Sequence, residues 1–233
     1  YWGYLLGKGL VNPIDDLRET NPPTNPELLD ALADHFVQGG YDLKALLRLI
    51  LNSRVYGLSS KATPENRLDT AFFTHYMPKR LTSEQLLDAV NFATGTFEKF
   101  QKQPPGTRAI SLPDPSYQSY FLDTFGRPAR AIACECERSG DPTLSQALHL
   151  MNGELINRKL TQKDGRLART LMDPRLTDET LIQTLYRATF ARPATDEEIE
   201  VARGILNEAP DRKVGAQDLL WALLNSREFL FNH

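Results

Sequence analysis

A helix-start signal recurs along this chain and constrains its fold more than any other feature. Capping boxes pair a threonine with a glutamine or glutamate three residues later at Thr82/Gln85, Thr143/Gln146 and Thr195/Glu198. In such a box the hydroxyl accepts the N–H of the third helical residue. That residue's side chain accepts the N–H of the cap, so two otherwise orphaned donors are satisfied. Asn25-Pro26-Glu27 and Thr63-Pro64-Glu65 place a capping side chain before a proline at the first helical position, where the missing N–H costs nothing. Asp42 and Thr177 are further caps.

Apolar residues at helical spacing follow these signals. They are Leu28, Leu29, Leu32, Phe36 and Val37 up to Gly39-Gly40, then Leu43, Leu46, Leu47, Ile50 and Leu51. Leu86, Leu87, Val90 and Ala93 run up to Gly95, and Leu144, Ala147, Leu148 and Met151 follow Thr143. Leu181, Ile182, Leu185 and Phe190 come next, then Ile199, Ala202, Ile205 and Leu206. Leu219, Leu220, Leu223 and Leu224 form a last helix ending near Arg227. Alternating patterns are confined to 109–112 and 129–133, two short strand candidates. The fold class expected is all-α: a multi-helix globular domain with minor short strands at most.

One stretch departs from this pattern. Pro104, Pro105, Pro113, Pro115, Pro128 and Pro142 punctuate 101–142, where only 117–125 has helical spacing, with Gly126 as its stop. Ordering so long a segment is costly unless it packs on the helices, so an ordered central loop is expected. The alternative is a linker between helical halves 1–100 and 143–233. The 233 residues fit a single domain. The opening Tyr1-Trp2-Gly3-Tyr4-Leu5-Leu6, with no initiator methionine, reads as the inside of a structured segment, so a fragment of a larger protein is expected.

The 27 basic and 30 acidic side chains leave a net charge of −3, without the basic excess that phosphate contacts require, so no nucleic-acid partner is expected. No stretch approaches the roughly 20 apolar residues of a membrane span. The two cysteines, Cys134 and Cys136, cannot make a disulfide framework.

Four separated motifs occur in order. Gly7-Lys8-Gly9-Leu10-Val11-Asn12-Pro13-Ile14-Asp15-Asp16-Leu17-Arg18 continues into Thr20-Asn21-Pro22-Pro23-Thr24-Asn25-Pro26-Glu27-Leu28-Leu29-Asp30. Leu49-Ile50-Leu51-Asn52-Ser53-Arg54-Val55-Tyr56 and Cys134-Glu135-Cys136-Glu137-Arg138 follow. The chain ends Leu223-Leu224-Asn225-Ser226-Arg227-Glu228-Phe229-Leu230-Phe231-Asn232-His233. Over nearly its whole length the chain resembles the C-terminal domain of unknown function of large planctomycete proteins that also carry a planctomycete-type cytochrome c domain. Lys8 stands where an arginine is common. The resemblance implies a large exported parent, periplasmic or associated with the cell envelope, with a haem-bearing module elsewhere. It implies no agreed activity.

The residues themselves offer three candidate sites. Cys134 and Cys136, with Glu137 and Arg138, supply two thiols one residue apart. Those could ligate a soft metal, or act in redox or nucleophilic chemistry if Arg130 or Arg138 lowers their pKa. The plainer alternative is two small buried residues beside a surface Glu–Arg pair. A structural zinc needs four ligands, and His35, His75 and His149 lie at no ligand spacing, so no metal is assigned. Asp15, Asp16, Arg18 and Asn21 suit a hard cation or acid–base work, or else the capping of turns. Tyr117, Tyr120 and Arg127 give the central loop the polar and aromatic character of a small-ligand or carbohydrate site.

No Cys-x-x-Cys-His motif is present, so no cofactor is expected in this chain and haem only elsewhere in the parent. Trp2, Trp221, Phe229 and Phe231 read as core or interface anchors. The terminal Phe229-Leu230-Phe231 docks either on this domain or on a neighbour. The function favoured is a non-catalytic accessory or interaction module working with other domains of the parent, the cytochrome c domain included. An enzyme domain using the 134–138 loop and a small-ligand or carbohydrate-binding module are the alternatives.

Overall fold

The computed structural model describes residues 1–129 and 154–232. Arg130, the cysteine motif 134–138, His149 and the Thr143/Gln146 box lie outside them. The fold is mainly helical, and among the described residues the sheet is limited to two paired strands of two residues each. The chain forms two compact units, residues 1–79 and 80–232.

Unit 1 carries α1 (Trp2–Leu6), α2 (Pro26–Gln38) and α3 (Leu43–Leu51). The caps act as their residue types dictate. Asn25 Oδ1 accepts from the Leu28 N–H at 2.9 Å, and Asp42 Oδ1 from Lys44 and Ala45 at 2.8 and 3.0 Å. Between the helices Gly40 and Tyr41 both take positive φ, 67° and 63°. The Tyr41 N–H then closes on Phe36 O at 2.9 Å, and the two rings meet edge to face. Leu6, Leu10, Ile50, Phe73 and Tyr76 form a small core, with Leu28, Leu29, Leu32 and Leu46 packed partly against it.

Thr63-Pro64-Glu65 does not start a helix; the chain turns there instead. Asn66 and Asp69 compete for the backbone donors a helix would use. Asn66 Oδ1 takes the Thr63 N–H at 2.7 Å. The Asp69 carboxylate takes the N–H groups of Ala71, Phe72 and Thr74 and the Thr74 hydroxyl, at 2.6 to 2.9 Å. The Thr74 hydroxyl first, then those N–H groups, hold its pKa far below the carboxylate range. The turn places Phe73 at φ 54°, an uncommon conformation for so bulky a residue, where its buried ring meets Trp2 edge to face.

The chain enters unit 2 through β1 (Lys79–Arg80), which pairs with β2 (Phe231–Asn232). The Thr82 capping box opens α4 (Ser83–Thr94), whose Leu87, Val90 and Ala93 are fully buried. Helix α4 packs against α5 (Tyr120–Thr124), α6 (Glu154–Thr161), α7 (Arg166–Leu171) and α8 (Asp178–Phe190). Gly95 ends α4 at φ 64°, and Arg166 donates to the last carbonyls, Ala93 O at 3.0 Å and Phe92 O at 2.9 Å.

Thr177 caps α8 and the Thr195 box opens α9 (Asp196–Glu208), as their residues indicate. After α10 (Arg212–Leu224), Ser226 caps one further turn, α11 (Arg227–Leu230). Phe229 of that turn is buried in the unit's own core and Leu230 packs partly against it, so this part of the terminal motif docks on its own unit.

The 109–112 stretch is not a strand. Ala109–Ser111 is a turn of 3₁₀ helix, because Asp88 on α4 accepts the Ala109 and Ile110 N–H groups at 2.7 and 3.2 Å and bends the chain there. Leu112, Phe121, Leu122 and Phe125 bring the described part of the central segment into the same core.

Candidate functional site

Asp16, Arg18 and Asn21 stand together on a loop of unit 1. The Asp16 carboxylate holds the Arg18 guanidinium through both of its oxygens, with Nη2 at 2.7 Å. Asn21 Nδ2 donates to Asp16 O at 3.0 Å and Asn12 O at 3.3 Å. Thr24 closes the loop by donating its N–H to Leu10 O at 2.8 Å. These polar groups shape the loop, as turn-forming Asp and Asn do. Asp15 lies on the same loop and is exposed.

The loop presents Ile14 and Leu17 to an apolar groove of about 250 Å³, also lined by Trp2, Leu10, Val11, Leu29, Leu32 and Phe36. Two glycines permit the closure. A Cβ on Gly3 would stand 2.7 Å from Ile14 Cδ1, and one on Gly9 would collide with the Val11 carbonyl oxygen. Leu17 is 74% exposed, Tyr1 56% and Ile14 41%, so the groove's wall is open apolar surface.

Tyr117 and Arg127 are also brought together, but inside unit 2. Arg127 donates to Tyr117 O at 2.7 Å and to Asp123 Oδ1 at 2.6 Å. The Tyr117 hydroxyl accepts from Gln103 Nε2 at 2.5 Å, and its ring packs edge-on against Phe100. Both side chains brace the central segment. Tyr120 stands exposed at the start of α5. Cys134, Cys136, Glu137 and Arg138 lie outside the described residues.

Two polar clusters escape sequence reading. Arg192 grips Glu198 and Glu228 with four hydrogen bonds of 2.6 to 2.8 Å, under the rings of Tyr186 and Phe190. Its guanidinium holds the Glu198 carboxyl down to about 2, and the two carboxylates push the Arg192 pKa up. This clamp ties the end of α8, the start of α9 and α11 together. Its only sequence signal is Glu198's place in a capping box; Glu228 lies 36 residues from Arg192.

Lys159 is the second. Buried on α6, it pairs with Glu98 at 2.9 Å and donates to the Thr96 hydroxyl at 3.2 Å. Burial lowers its pKa against the pull of Glu98. The charge is thus paired and hydrogen-bonded, as burial demands.

Among the described residues, no helix is long and apolar enough to cross a membrane. No curated protein and no solved structure matches the chain. A family model described as PSD1, protein of unknown function (DUF1553), matches residues 1–206, stopping short of the terminal motif that begins at Leu223. With all but its last stretch matched, the chain belongs to this PSD1 family of proteins of unknown function.

Proposed function

We propose that this chain is a non-catalytic interaction module whose unit 1 groove receives an apolar segment from another domain of an exported, cytochrome c-linked parent. The observation that carries this reading is the open apolar wall of Tyr1, Ile14 and Leu17 beside the 250 Å³ groove. Contiguous exposed apolar surface with a polar rim marks interaction sites in soluble proteins. The rim's Asp16, Arg18 and Asn21 bond one another and the loop backbone, which suits a scaffold. The cytochrome partner, its haem and the periplasmic or envelope location rest on the family resemblance.

Calorimetric titration of the chain with the parent's cytochrome c domain tests the reading. The wild type is expected to bind, and Leu17→Glu to weaken binding about tenfold or more, the scale of a central apolar contact. Circular dichroism of the variant should be unchanged, since the side chain is mostly exposed. A wild type that does not bind, or a variant that binds equally well, overturns it.

A further inference from the structure

Unit 2 holds a second cavity, of about 580 Å³, between α4 and the loop that follows it. That volume lies within the roughly 300–1,000 Å³ of small-molecule pockets. Three features of its lining specify a ligand.

The first is aromatic. Phe92 and Phe97 line the cavity and are 63% and 62% exposed, an unusual placement for two phenyl rings on one wall. Phe92 is held in place. The Arg166 guanidinium stands 5.2 Å from its ring centroid and is itself fixed on Ala93 O and Phe92 O.

The second is a buried acceptor. Asn91 lines the same cavity, is only 4% exposed, and its Oδ1 has no hydrogen-bond partner among the described residues. Buried polar atoms are nearly always paired, and an exception requires an explanation. A ligand O–H or N–H supplies one when the amide turns its oxygen, closed to solvent in this structure, towards the cavity.

The third is a cation. Arg108 lines the cavity with its side chain 71% exposed. Asp88, its neighbour at 3.5 Å, is already committed to the Ala109 and Ile110 N–H groups. Asp88 therefore pins the turn that carries Arg108 and leaves the fork of the guanidinium to an anion, which it suits in bidentate geometry. Gln85 adds a donor, since its Oε1 is taken by the Thr82 N–H at 3.0 Å and its Nε2 remains.

We infer that this cavity binds a small aromatic carboxylate that carries a hydroxyl or N–H donor. Its ring would lie against Phe92 and Phe97, its carboxylate on Arg108, and its donor on Asn91 Oδ1. An aliphatic acid would not use the rings, and glucuronate, a sugar with the same carboxylate, is the competing ligand because Gln85, Asp88 and Thr107 also line the cavity.

Calorimetry on the whole chain with 4-hydroxyphenylacetate, phenylacetate and glucuronate tests this. The hydroxylated acid is expected to bind about tenfold tighter than phenylacetate, the order of one net hydrogen bond. Arg108→Gln and Phe97→Ala, both at exposed positions, should each weaken both aromatic acids about tenfold or more. Asn91→Leu, checked for folding by circular dichroism, should erase the difference between the two aromatic acids. The absence of binding at millimolar concentration overturns the proposal. So do affinities unmoved by Arg108→Gln or Phe97→Ala, and so does a preference for glucuronate.

Discussion

In unit 2, α4 buries Leu87, Val90 and Ala93 completely and packs against four other helices. In unit 1, α2 has an equally regular apolar stripe, yet none of its residues is fully buried. Both helices begin with well-made caps. The difference therefore lies in what surrounds each stripe. Unit 2 supplies enough helices to enclose α4. Unit 1 supplies two helices and a set of hydrogen-bonded loops, and leaves a groove. The same local code thus yields a dense core in one unit and open apolar surface in the other. A stripe that is only half covered is where a partner finds something to bury.

The largest expected effect tests that contrast. The chain has two tryptophans, Trp2 in unit 1 and Trp221 in unit 2. Trp221→Phe and Trp2→Phe backgrounds therefore let fluorescence follow each unit separately through urea unfolding. Leu87→Ala should cost unit 2 about 3–5 kcal/mol, because the enclosed site cannot collapse around the cavity. Leu29→Ala should cost unit 1 about 1 kcal/mol, since its half-buried side chain gives up much less area. Equal costs would break the comparison.

A smaller effect sharpens it at the helix ends. Gly95 and Gly40 both have positive φ, but a Cβ on Gly95 would lie 2.9 Å from the Arg166 N and Cβ, whereas one on Gly40 meets nothing within 4 Å. Gly40→Ala should cost only the left-handed conformation, about 1 kcal/mol, and Gly95→Ala about 2–3 kcal/mol once the clash is added. The same unfolding curves measure both.

The smallest expected effect concerns the Arg192 clamp, which has no counterpart on α2. Glu198 has its folded pKa depressed to about 2. Its contribution is therefore present above the unfolded carboxylate pKa and lost as pH falls from about 5 towards 2. The pair is partly exposed, so solvent screening limits it, and Arg192→Ala should cost about 1 kcal/mol at pH 7. Urea midpoints of wild type and variant, tracked by Trp221, should draw together progressively from pH 5 towards pH 2. A constant difference across that range would show that lost packing on Tyr186 and Phe190 dominates instead.

Sequence reading succeeded where the interactions are local. Asn25, Asp42, Thr82, Thr177 and Thr195 all cap helices through donors two or three residues away. It erred at Thr63, where a helix start has the right residues but Asn66 and Asp69 capture the backbone first. It also erred at 109–112, where an alternating pattern is overridden by Asp88 from another helix. Of the candidate sites, the loop of Asp15, Asp16, Arg18 and Asn21 stands out in the sequence for its carboxylates. Its structural role there is to carry Ile14 and Leu17, which no charge pattern reveals.

The sequence by itself determined where most helices begin and which face of each is apolar, because those preferences arise within a few bonds of one residue. Only the tertiary structure decided how far each face is covered. It also decided that Arg192 would meet Glu228, that Lys159 would be buried against Glu98, and that Asn91 would keep an oxygen without a partner among the described residues, beside two exposed rings. These outcomes join residues tens of positions apart, and their energies depend on the burial and distance that packing alone creates.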